Sequence, residues 1–310
     1  MGKPKSQFQI YLEYLPFAAG AALLSRLSFR RCRRWAEFLL GLLFYIDRKH
    51  RRRTVEHILH AGVCRSRSRA VRLARACYRA SGDLLAEILF FHRCFRPEKV
   101  TFTGPAGALD RVLPSRDTGE PRQVILAMAH YGNWEISCNA AAALTGVKVT
   151  SIMRPFSNPK IGDVIMKSRL GPGHVSVDKH LGARPLLRAL NEGQTVVILI
   201  DQHAGHGEGT VCTFFGHPAK VHKTPALLHL KTGVPILPAV VWRDPSADFK
   251  FEIRCGELIR YEQGAESREE AVARITQMSI SALEKLIRRA PAQWLWAPRH
   301  WLDIDRNGKK

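Results

Sequence analysis

The sequence predicts an α/β fold, a mostly parallel mixed sheet covered by helices, with an N-terminal helical region that associates with a membrane. Three observations predict it. Beyond about residue 120, short β-branched runs alternate with helical segments, the pattern of strands joined by crossover helices. Those runs are apolar almost throughout, as strands buried on both faces must be. The first third of the chain instead carries apolar stretches bordered by arginine clusters. With 310 residues, 45% of them hydrophobic, the chain can bury one large core. The expected division is a membrane-associating helical region at 1–50 and a single chemistry-bearing domain at 51–310.

The net charge of +21 points to a polyanionic partner, and its distribution says which. Residues 1–100 hold 21 Lys and Arg against 7 Asp and Glu, a net +14. Within them, "FRRCRRW" (29–35) and "DRKHRRR" (47–53) flank the apolar "WAEFLLGLLFYI" (35–46). Basic clusters beside apolar helices are drawn to an anionic membrane surface, by about 1 kcal/mol per basic residue; a solvated basic face is the plainer alternative. Nucleic acid is disfavoured, because no zinc-finger spacing or aromatic RNA-binding segment accompanies the arginines. The run "IYLEYLPFAAGAALL" (10–24) contains Glu13 and Pro16, and the second run contains Glu37. Both fall short of the roughly 20 residues that cross a bilayer, so an interfacial or partly embedded helical pair is expected, although a single tilted span extending to residue 27 stays open. The first ten residues lack the apolar core and small-residue site of a signal peptide. Seven cysteines without a Cys-x-x-Cys pair argue against a disulfide frame or zinc ribbon and for a reducing compartment.

Residues 66–91 alternate arginines with apolar positions and read as a long amphipathic helix. A Gly/Pro-rich stretch, 103–121, marks a boundary. Strands are expected at 123–129, 147–153, 195–200, 234–241 and 249–255. Helical segments lie between them, and a last helix at about 267–289 precedes the tail "PAQWLWAPRHWLDIDR".

Functional residues of an open α/β sheet gather at the carboxyl ends of its strands. The polar residues that end the apolar runs are His130, Arg154 and Asp201. In "ILAMAHYGNWEIS", Gly132 permits a turn after His130, Asn133 can cap the helix that follows, and Glu135 falls in its first turn. From there Glu135 can reach back to Nδ1 of His130 and leave Nε2 as a free base. The bare His-x4-Glu spacing fits a structural histidine as well, and it is the strand-end position before a glycine that favours catalysis. No serine or cysteine nucleophile is framed nearby, so the base is expected to activate a substrate hydroxyl. "FFG" (214–216) reads either as a close backbone approach to a ligand at Gly216 or as a core turn. His203, His206 and Glu208 complete no coordination set of recognisable spacing, so no metal is expected.

The segments "AHYGNWE", "MRPFSNPKI", "RPLLRALNEG", "DQHAGHGEGTVCTFFGHPA" and "QWLW" together resemble the lipid A biosynthesis acyltransferase family, within the broader glycerolipid and lysophospholipid acyltransferase group. The resemblance covers most of residues 10–301. It implies acyl transfer from an acyl carrier protein, or sometimes coenzyme A, to a hydroxyl of a membrane-borne acceptor. It further implies no metal or other cofactor, and a site facing the cytoplasm at the bacterial inner membrane. His130 and Glu135 match its His-x4-Asp/Glu signature. Arg154 and Arg169 match basic positions of relatives, implying contact with substrate phosphate or a developing oxyanion, the alternative being ion pairs with surface carboxylates. Asp201 matches an Asp-Gln pair that accompanies substrate binding, where it orients an arginine or orders a loop without being catalytic. The chain departs from many relatives after "QWLW", reading "APRHW", so that Arg299 and His300 stand in altered order; this bears on the acceptor headgroup. The rival readings are a lysophospholipid, aminolipid or glycolipid acyltransferase using acyl-coenzyme A, and a basic membrane- or nucleic-acid-binding protein without turnover.

Overall fold

The computed structural model describes residues 5–112, 122–153, 156–169, 171, 173–262 and 264–304. Four helices come first: α1 (Gln7–Ser25), α2 (Phe29–Ile46), α3 (Arg48–His60) and α4 (Arg67–Cys94). The strands are β1 (Val100–Thr103), β2 (Ile125–Gly132), β3 (Val149–Met153), β4 (His174–Asp178), β5 (Thr195–Leu199), β6 (Gly209–Phe214), β7 (His217–His222), β8 (Ile236–Arg243) and β9 (Phe251–Cys255). Among them run α5 (Ala106–Val112), α6 (Ser137–Thr145), α7 (Pro159–Arg169), α8 (Arg184–Asn191) and α9 (Thr224–Thr232), with α10 (Arg268–Arg289) after β9.

Seven strands form one sheet in the order β1-β9-β8-β2-β5-β3-β4. Every neighbouring pair is parallel except β8 with β9. The exception has a simple cause: residues 244–250 are too few for the crossover that a parallel pair requires. The α/β fold with its mostly parallel mixed sheet is therefore present, and all five expected strands lie in it. β2 is central, paired with β5 and β8. Its alternate residues point to opposite faces: Ile125, Ala127 and Ala129 pack into one core beside α8, α9 and α10, while Leu126 and Met128 pack into another beside α4 and α6.

The expected last helix is α10, closed at its start by a capping box between Ser267 and Glu270. The expected helix at 66–91 is α4. The stretch read as a linker holds the end of β1 and all of α5, with 113–121 outside the described residues. β1 pairs with β9, which ties the segment after α4 into the sheet.

α2 lies tightly on α4, where a Cβ at Gly82 would come 2.6 Å from the backbone of Glu37; only glycine allows that approach. Cys32, Ala36 and Phe44 are buried on this side of α2. The outward side is different: Trp35, Phe38, Leu42 and Ile46 on α2, with Phe8, Leu12 and Leu15 on α1, are exposed. Among the described residues no helix is long and apolar enough to cross a membrane.

Candidate active site

The register of two parallel strands builds the centre of the site. Met128 of β2 lies beside Leu199 of β5, and Ile200 N–H donates to Met128 O at 3.0 Å. Two residues further along each chain, His130 and Asp201 arrive side by side. His130 Nδ1 lies 2.7 Å from Asp201 Oδ1, and the backbone N–H of His130 donates to Oδ2 at 3.0 Å. The indole Nε1–H of Trp294 donates to the same Oδ2 at 2.8 Å. Burial by itself would raise the Asp201 carboxyl, but the charge and hydrogen bond of His130, with help from His300 and Trp294, hold it down at about 2. An ionised Asp201 accepts the Nδ1 proton and leaves Nε2 of His130 as the basic nitrogen.

This corrects the expected division of labour. The sequence reading gave the Nδ1 contact to Glu135, yet the carboxylate that holds Nδ1 is Asp201. Glu135 sits in the 3-10 turn Trp134–Ile136 and lines the same cleft as His130. Asp201 in turn was expected to bear on substrate, and its side chain is fully buried with both oxygens occupied by protein donors. Its contact with the cleft runs through His130.

The turn after His130 is locked from behind. Gly132 has φ +59, and a Cβ there would collide with the carbonyl oxygen of Val241, so the bulge that shifts β2 against β8 at this point needs glycine. Asn133 occupies the cap position, but its side chain makes no cap; Nδ2 donates instead to Glu87 Oε2 at 2.8 Å. Glu87 is buried in α4 and pairs with the equally buried Arg243 at the end of β8, whose Nη2 donates to Glu87 at 2.8 Å and to Gly132 O at 3.4 Å. Leu295 N–H donates to His130 O, and the Tyr131 hydroxyl donates to Ala290 O, both at 3.0 Å. The C-terminal tail thus forms the wall behind His130. His300 belongs to that wall: it is buried, its ring nitrogens lie 2.9 Å from Asp201 O and 3.1 Å from Leu295 O, and burial lowers it to about 4. Of the two residues in altered order, His300 thus seats Asp201 from the interior, while Arg299 is exposed.

In front of His130 opens a cleft of about 630 Å³. Trp134, Ile152, Met153, Phe156 and Leu227 give it apolar walls; Glu135, Ser151, His174, Lys223 and Thr224 give it polar ones. Trp134 meets the imidazole of His130 edge-on, with centroids 5.3 Å apart. His203 and Glu208 also line the cleft, whereas His206 is exposed.

Gly216 is not part of it. Phe215 and Gly216 form the two-residue turn of the β6-β7 hairpin, with φ +53 and +81, the left-handed pair that such hairpins need. The strained Phe215 is held by its ring, stacked on Trp294 at 5.6 Å and covered by the Arg288 guanidinium at 4.5 Å. The core-turn reading of "FFG" is the correct one. Arg154 lies outside the described residues; Arg169 ends α7, and its side chain is outside them too. Sequence reasoning singled out His300 and quoted the motif holding Trp294 without placing either on Asp201, and it missed Glu87 and Arg243. A signal existed for the last two, a glutamate and an arginine inside otherwise apolar patterns, which demand each other once buried.

Residues 17–303 match the family model described as bacterial lipid A biosynthesis acyltransferase. The chain belongs to that family. It is also 24% identical over 221 residues to the phosphatidylinositol mannoside acyltransferase of Mycobacterium tuberculosis (strain ATCC 25618 / H37Rv), a match covering 69% of this chain and 67% of that one. The protein is thus an acyltransferase, and His130 lines its cleft with the buried Asp201 held against Nδ1.

Proposed function

We propose that this acyltransferase moves a fatty acyl chain from a thioester, carried by acyl carrier protein, to a hydroxyl of a lipid A precursor or a related membrane lipid. Nε2 of His130 takes the proton of the acceptor hydroxyl as its oxygen attacks the thioester carbonyl. Asp201 stabilises the imidazolium, which then returns the proton to the departing thiolate. Glu135, one turn away, serves the acceptor side of the cleft, and Arg154 and Arg169 are its proposed phosphate contacts. The apolar walls suit an acyl chain. The outward apolar side of α1 and α2, with its arginines, suits the cytoplasmic face of the bacterial inner membrane as an interfacial anchor.

The observation that carries this reading is the Asp201-held His130 opening onto a cleft lined by both apolar and polar side chains. Because the mycobacterial relative is named for a mannosylated lipid, a glycolipid acceptor is the second reading. Lipid analysis of cells lacking the gene tests both. One lipid species should lose one acyl chain, regained with the wild-type gene and not with His130→Ala, and its headgroup names the acceptor. A lipid profile identical to wild type would overturn the proposal.

A further inference from the structure

Away from the cleft, three residues remote in sequence meet at the surface: His60 in the last turn of α3, His217 at the start of β7, and Asp303 in the tail. Asp303 bridges an edge of each ring, with Oδ1 3.0 Å from His60 Nε2 and Oδ2 3.1 Å from His217 Nδ1. The imidazoles are stacked, their centroids 3.6 Å apart and their planes at 30°. The stacking puts one nitrogen of each ring on the same edge, facing one carboxylate, and the three ligand atoms lie within 4.8 Å of one another. Two imidazoles and a carboxylate are a donor set for a borderline divalent cation. Around a tetrahedral zinc held at 2.0–2.1 Å, neighbouring ligand atoms are about 3.4 Å apart, so small rotations of the three side chains would admit the ion. The side chains are 17%, 34% and 37% exposed, which leaves an entry path and room for water as the fourth ligand.

We infer that His60, His217 and Asp303 bind one zinc ion, which staples the C-terminal tail to α3 and to the β6-β7 hairpin. The site is structural and lies outside the cleft. Its position explains what it would hold. Trp301, two residues before Asp303, packs edge-on against His60 at 5.3 Å and donates from Nε1 to Phe214 O at 2.7 Å. The same tail supplies Trp294 and His300 to Asp201. A metal here would fix the segment that seats the carboxylate behind His130.

The test uses the full chain in detergent, stripped with a chelator and titrated with cobalt(II) and then zinc(II). One equivalent of cobalt should bind with the visible bands of a four-coordinate ion, zinc should displace it, and zinc should raise Tm by roughly 5 °C. Asp303→Asn, which keeps the shape of the side chain, and His217→Ala should each weaken binding at least tenfold, while His206→Ala should leave it unchanged. The inference is overturned by no binding at micromolar metal, by a six-coordinate cobalt spectrum in the wild-type protein, or by binding that survives Asp303→Asn.

Discussion

Two regions of this molecule handle polar and apolar groups in opposite ways. Behind His130, charged residues are taken into the interior and paired: Asp201 with His130 and Trp294, Glu87 with Arg243 and Asn133. Along α1 and α2, large apolar side chains are left outside, Phe8 at 75%, Ile46 at 68%, Leu12 at 61% and Phe38 at 60% exposure. Each arrangement costs stability in isolation, through desolvated charge in one place and unburied hydrocarbon in the other. The proposed function gives each a use: proton transfer at the first, and contact with a lipid surface at the second. α4 joins the two, since Gly82 receives α2 and Glu87, five residues on, holds the turn after His130.

The comparison is broken most severely at the site itself. His130→Ala should remain folded and lose on the order of 10² to 10⁴ in kcat. Asp201→Asn should lose a comparable factor, because an amide cannot accept from His130 Nδ1, the His130 backbone and Trp294 all at once. Glu135→Gln should cost less than either. A larger loss from Glu135→Gln than from Asp201→Asn would return the orienting role to Glu135. Asp201 also makes a pH prediction. Its folded value of about 2 lies below the ordinary 3.8, so its contribution to stability is present above about pH 4 and is lost as pH falls through 2. Acid unfolding of Asp201→Asn should show a shallower slope in that window.

The buried pair behind the turn comes next. Glu87→Gln leaves the buried Arg243 with only the longer Asp83 ion pair at 3.8 Å, and removing a buried ion-pair partner typically costs about 3–5 kcal/mol. Urea unfolding should show a loss of that order. A loss below about 1 kcal/mol would mean that the pair is not closed as described and that the turn is supported elsewhere.

The outward face should respond in the opposite sense. Phe38→Glu or Trp35→Glu removes exposed apolar area and should leave Tm nearly unchanged, while weakening binding to anionic phospholipid vesicles about tenfold. If Tm falls by many degrees and vesicle binding holds, the face is covered within the protein and the contrast between the two regions fails.

How much of this could be read in advance follows from where each signal resides. β2, β3, β5, β8 and β9 were legible because a strand buried on both faces must be apolar throughout. β1 and β4 are short edge strands with polar residues such as Thr101 and Ser176, and their sequences look like loop. The β6-β7 hairpin was hidden because its turn is Phe215-Gly216, where a sequence reader looks for Asn-Gly or Asp-Gly. His130 was legible from its place at a strand end. Asp201 was visible at another strand end, but its pairing with His130, 71 positions earlier in the chain, depends on the register of β2 and β5. The local spacing instead offered Glu135, the nearer carboxylate. Trp294 and His300 reach Asp201 from still further away, and no short-range pattern encodes that contact.

The smallest effect concerns the donor, and it asks which region the positive charge serves. Acyl carrier proteins are strongly acidic, whereas coenzyme A presents only a few phosphates. A chain with net +21 should therefore steer the protein carrier over a longer range. Such steering fades as the Debye length falls from about 10 Å at 0.1 M salt to about 3 Å at 1 M. At low ionic strength the rate with acyl carrier protein thioesters should exceed that with acyl-coenzyme A, and the ratio should fall severalfold as salt rises. If the arginines of α2 and α3 serve only the anionic membrane, salt weakens membrane attachment equally for both donors and the ratio stays flat. Measuring both donors across a salt series with detergent-solubilised acceptor removes the membrane from the comparison. A flat ratio would assign the charge to the lipid-facing region alone, and a preference for coenzyme A at every salt concentration would replace the proposed donor.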